Sequence, residues 1–207
     1  MAKHRFRQIG FSGLVVVFLF IVPALTQAQN RKEIHERLSL VKYPTTLTFQ
    51  LDGQPLKSTE EVVPYLSLRI LRFEANNDWL RQLTLQLQNV SGKTITYVEI
   101  HLTFPQTANE KGRIGLHQIY LGIDPDRKFT RPEIRFAPND TIELPVAKEI
   151  DEIKKLVETR LPLTQVFEVE VEVHAVLFDD GTMFQAGVMY QRDPNEPKKW
   201  IPIPKPQ

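Results

Sequence analysis

Period two governs most of this chain. Apolar residues recur at every second position in Leu47, Phe49, Leu51, in Leu66, Leu68, Ile70, in Leu83, Leu85, Leu87 and in Val98, Ile100, Leu102, Phe104, with polar residues between them. Successive side chains of a strand point to opposite faces, so each row buries one face and wets the other. A helix cannot satisfy that pattern, because its apolar face recurs at about 3.6 residues. Turn residues stand between the rows: Asp52-Gly53, Asn76-Asn77-Asp78, Ser91-Gly92 and Asp180-Gly181. LHQIYLGI from Leu116 and TIELPV from Thr141 add two further strands. These features predict a mainly β, antiparallel sandwich of about seven to nine strands.

One segment breaks the period. Val146, Ile150, Ile153 and Val157 fall at helical spacing, with charged residues between them, until Pro162 stops the run. That predicts one short amphipathic helix over about residues 146–159.

The N-terminus reads differently again. Lys3, His4, Arg5 and Arg7 precede the apolar run LVVVFLFIVPAL, and Ala28 follows it. This is the grammar of a secretory signal peptide, and the run is far short of the roughly 20 residues that span a bilayer. The expectation is a signal over 1–28, a leader over 29–43 that could be helical, a sandwich over 44–193 and a proline-rich tail over 194–207. An uncleaved membrane anchor is the competing expectation. The chain has no cysteine, so it holds neither a disulfide nor a cysteine-linked lipid. Lys3, Arg5 and Arg7 leave with the signal and no acidic residue does, which takes the formal charge from +1 to −2. No basic cluster remains, so neither nucleic acid nor membrane insertion is expected, and the product is placed in the periplasm or outside the cell. Nothing in the pattern sets the oligomeric state.

The hairpin FEVEVEVHAVLFDDGTMF carries the most chemistry. A two-residue type I′ turn at Asp180-Gly181 would oppose Leu177 to Phe184, Ala175 to Ala186, Val173 to Val188 and Val171 to Tyr190 on the core side. The outward side would then hold Glu170, Glu172 and His174 at one end and Val176, Phe178 and Met183 near the turn. That apolar end is either covered by the helix or is a docking surface. Asp179, Asp180 and Gly181 are explained by turn chemistry, because a calcium loop needs more oxygen ligands than follow them.

The order of segments resembles an immunoglobulin-like domain, in which a small helix often precedes the penultimate strand. NVSGKTITYVEIHLTF and VEVHAVLFDDGTMF resemble stretches of uncharacterised exported bacterial proteins that carry one such domain. The resemblance implies that Ile95–Phe104 pairs with Glu168–Phe178. Glu99 and His101 would then share the outer surface with Glu170, Glu172 and His174. Two imidazoles beside carboxylates are donors of the kind zinc takes. The spacing of a two-histidine helix motif is absent, however, so the row is read as a solvated face and neither a metal nor a cofactor is assigned.

No G-x-S-x-G, G-x-x-x-x-G-K-[ST] or H-E-x-x-H occurs, and no catalytic residue is assigned. The expected function is a non-catalytic binding or assembly module of the bacterial cell envelope with a protein partner. The alternative is a metal-binding or small-ligand-binding protein, or a hydrolase, using the His101/His174 face. Trp200, within the five-proline tail, either docks as an extended ligand or folds back over a core edge.

Overall fold

The computed structural model describes residues 43–63, 66–124, 126 and 132–204, with the backbone alone described at 61–63, 66 and 67. The expected signal and nearly all of the leader lie outside these residues.

Alternation resolves into two antiparallel sheets. In the first, β1 (Thr45–Leu51) turns through Asp52 and Gly53 into β2 (Gln54–Leu56). Both turn residues have positive φ, 50° and 72°, as a type I′ turn requires. Strand β1 pairs with β5 (Leu83–Asn89), and β5 pairs with β8 (Thr141–Pro145).

The second sheet is built around the 11-residue β9 (Glu168–Phe178). One edge of β9 carries β6 (Ile95–Phe104), with β7 (Gly115–Gly122) beyond it. The other edge is shared between two partners. β4 (Leu66–Arg72) pairs with its first half and β10 (Met183–Gln185) with its second. β3 (Ser58–Val63) extends the sheet beyond β4, while β11 (Val188–Arg192) and β12 (Trp200–Pro202) extend it beyond β10. The pairing of β6 with β9 that the resemblance implied is present.

Twelve strands are described where seven to nine were expected. Three of them, β2, β10 and β12, are only three residues long, too short to show a period.

The inner faces of the two sheets close one core. Leu47, Phe49, Leu85 and Leu87 from the first meet Leu71, Ile100, Leu102 and Val171 from the second, all buried in a single cluster. The short helix α1 (Trp79–Gln82) drives Trp79 into this core, where its indole Nε1 donates to the Leu163 carbonyl at 3.3 Å. Helix α2 (Ile150–Glu158) follows a 3-10 turn at Val146–Glu149 and buries Ile153 and Val157, the face its spacing predicts.

Two local devices overturn the expected facing of the β9 hairpin. First, Glu99 pairs with Ala175 but Ile100 pairs with Val173, so His174 is an extra residue on β9. Such a bulge reverses the alternation beyond it. Val176 and Phe178 therefore point into the core, at 0% and 3% exposure, and not outward. Second, the turn is a three-residue loop. Gly181 N–H donates to the Phe178 carbonyl at 3.1 Å, Phe178 N–H donates to the Thr182 carbonyl at 2.9 Å, and within the loop only Gly181 has positive φ, 77°. This is a type I turn closed by a left-handed glycine, one residue longer than type I′.

The slip pairs Val176 with Phe184 in the core and Leu177 with Met183 outside it. The return strand is also cut short. Ala186 and Gly187, at φ 48° and 78°, make a second tight turn, so β11 pairs with β10 and the expected pairings of residues 186–190 with β9 do not form. Over Trp200–Pro202 the tail forms an edge strand against β11, a position where proline is tolerated.

Candidate functional site

Rows of cross-strand partners assemble the outer face of the larger sheet. His101 stands between Gln118 on β7 and Glu172 on β9, and Glu99 stands between Tyr120 and Ala175. The bulge inserts His174 between these two rows. Its imidazole lies on that of His101, with ring centroids 4.1 Å apart and planes inclined by 15°.

Hydrogen bonds lock the set. His101 Nε2 lies 2.8 Å from Glu99 Oε1 and 3.1 Å from Gln118 Nε2, Tyr97 Oη donates to Glu99 Oε2 at 3.1 Å, and Gln118 Nε2 donates to Glu99 Oε1 at 3.2 Å. Tyr120 Oη donates in turn to Gln118 Oε1. On the other ring, Nδ1 of His174 faces Glu172 Oε1 at 3.2 Å and Nε2 faces the Gln185 amide nitrogen at 3.0 Å. Together these partners define a tautomer: Nδ1–H donates to the carboxylate and the Nε2 lone pair accepts from Gln185.

Burial makes these contacts matter. Glu99 and Glu172 are only 6% and 9% exposed, although they sit on the face turned away from the core. A carboxylate so withdrawn from water is tolerated only when it is hydrogen-bonded and paired. Burial by itself would raise the Glu99 carboxyl. The hydrogen bond and charge of His101, the charge of His174 and the Tyr97 hydroxyl outweigh it and hold Glu99 below the ordinary glutamate range.

The structure thus brings together Glu99, His101, Glu172 and His174. Glu170 lies one row away, opposite Thr103 and Ile70. Met183 is half-buried on the outer face, whereas Val176 and Phe178 belong to the core. Trp200 sits in another contact altogether. Arg192 lies 3.9 Å above its ring, and its Nε1 donates to Asp126 Oδ2 at 2.9 Å. Asp126 also takes an ion pair from Arg192 at 2.7 Å. Trp200 therefore folds back and locks the edge of the sheet. Asp179, Asp180 and Gly181 serve the turn, where Asp180 is paired with Lys93 at 2.6 Å.

Sequence reasoning missed Tyr97, Gln118, Tyr120 and Gln185. The first three stand at the outward positions of alternating rows, so the same period that placed Glu99 and His101 could have found them. A second acid–imidazole contact joins His117 to Glu149 at 3.2 Å, with Glu152 close by, where α2 begins against β7. A cavity of about 190 Å³, lined by Tyr43, Glu60, Arg69 and Val173 among others, is a further concave feature. Comparison with known protein families, with curated proteins and with solved structures finds no match for this chain.

Proposed function

We propose that this chain is a non-catalytic, exported binding module of the cell envelope, whose ligand face is the outer face of the larger sheet. The observation that carries this reading is the convergence of Glu99, His101, Glu172 and His174 there, each already held by a hydrogen bond within the set. Groups fixed in advance by strands and by one another lose little freedom when a ligand arrives, and that favours binding. Export is supported by the basic, apolar and small-residue order of residues 3–28. Among the described residues no helix is long and apolar enough to cross a membrane. The two packed sheets with one amphipathic helix fit an immunoglobulin-like mount for such a face.

Photo-crosslinking in cells producing the full chain tests the reading. A benzophenone side chain replacing Met183, on the outer face, is expected to give a discrete adduct that disappears when Glu99→Gln and His101→Ala are combined. The same group replacing Glu143, exposed on the smaller sheet, is the control. Equal adducts from both positions, or an adduct indifferent to the two substitutions, would remove the outer face from consideration.

A further inference from the structure

We infer that Glu99, His101 and His174 form a binding site for a divalent transition-metal ion of the zinc type, an inference that rests on this face being the ligand face. One donor atom from each of the three residues lies within 4.8 Å of the other two. Imidazole nitrogen and carboxylate oxygen are the donors that zinc shares with nickel and copper, whereas magnesium and calcium prefer oxygen alone.

The protonation pattern suits this use. The Glu172 carboxylate holds Nδ1–H of His174, which presents Nε2 as a lone-pair nitrogen. A carboxylate on the far nitrogen is the usual support of a metal-bound histidine, because it fixes the tautomer and raises the basicity of the ligand. Tyr97 and Gln118 hold Glu99 in the same way, through hydrogen bonds to its oxygens. Nε2 of His101, which faces Glu99 Oε1, must give up any proton it carries before a metal binds there, since metal ligands must be deprotonated. Glu99 and Glu172 place carboxylates where water is largely excluded, and a divalent ion meets that negative charge.

The geometry also states what must move. Bonds of about 2.1 Å put the ligand atoms of a tetrahedral site roughly 3.4 Å apart, whereas His101 Nε2 and Glu99 Oε1 stand 2.8 Å apart, so the set rearranges on loading. Two rings inclined by only 15° cannot aim their in-plane lone pairs at one ion. One imidazole therefore turns about its second side-chain torsion, which is soft. His174, with 28% of its side chain exposed, is the ring that turns, exchanging the Gln185 contact at Nε2 for the ion. Three protein ligands leave a fourth position for a donor from a bound partner.

Calorimetric titration of the full chain with zinc chloride at neutral pH, repeated with cobalt(II) for its absorption spectrum, reads the site directly. One ion per chain is expected, with a tetrahedral cobalt spectrum. Binding should be lost in His101→Ala, weakened about 10- to 100-fold in Glu172→Gln, as for a residue that supports a ligand, and unchanged in His117→Ala, which disables the other acid–imidazole contact. The unsubstituted protein supplies a readout that does not depend on variants folding: zinc should shift the ring nitrogen resonances of His101 and His174 together. No binding, retention of binding in His101→Ala, or its loss in His117→Ala would overturn the site. If zinc fails while the crosslink from position 183 still depends on Glu99 and His101, the metal falls and the ligand face stands. If both fail, both fall.

Discussion

At the scale of single residues, a short list of polar side chains sets the character of the outer face. His174 is in place because it is the extra residue of a bulge, and Glu172 then fixes which of its nitrogens carries the proton. The residue types were legible beforehand, since Glu99, His101, Glu172 and His174 all stand in alternating rows, and the pairing of their strands was implied by the resemblance alone. Their contact was not, because a period of two says nothing of the extra residue that lays one ring on the other. Asp180 offers a test of the local electrostatics. Burial alone would raise its carboxyl, but the hydrogen bonds of Lys93 and Thr182 and the Lys93 charge bring it down to about 2. A carboxyl whose folded value lies below its unfolded value adds stability above the unfolded value, and that stability is lost as pH falls through the folded one. Asp180→Asn keeps an acceptor for the Thr182 N–H and loses the charge facing Lys93. With the pair half exposed, the expected cost at neutral pH is roughly 0.5 kcal/mol. It should vanish between about pH 4 and pH 2, and denaturant melts across that range would show it. A cost independent of pH would mean that the charge contributes nothing.

At the scale of elements, β9 decides which side chains face water. Its alternation was plain in the sequence, yet its second half was assigned to the wrong face. Asp-Gly suits a two-residue type I′ turn, and glycine also closes the three-residue loop found here, so the dipeptide alone cannot choose between them. One extra residue flips a whole row, and β9 meets two such additions, at His174 and in the loop. Ala186 at positive φ gives still less warning, because a left-handed alanine costs about 1–2 kcal/mol and only its surroundings can hold it there. Helix α2 was legible because its pattern extends over nearly three turns with one clear apolar stripe. The reassignment of Phe178 has a measurable consequence: Phe178→Ala should lose about 3–5 kcal/mol in chemical unfolding, as for any large ring removed from a core. A loss below about 1 kcal/mol would put the ring back on the surface.

At the scale of the whole molecule, the two faces of the larger sheet differ in character. The inner face joins the smaller sheet in a single hydrophobic core, and the outer face spends several buried polar groups on a network that the core does not need. Fold class was legible because many rows of alternation admit few other solutions. The order of strands was not, because pairing partners distant in sequence leave no local mark. The proposed ligand face requires the cluster to be assembled in solution. Histidine-selective NMR of the metal-free protein is the direct measurement. Stacking at 4.1 Å predicts ring-to-ring NOEs between His101 and His174, with His174 in the Nδ1–H form. Absence of those contacts, or a His174 ring protonated at Nε2 alone, would contradict the arrangement on which the proposed ligand face rests.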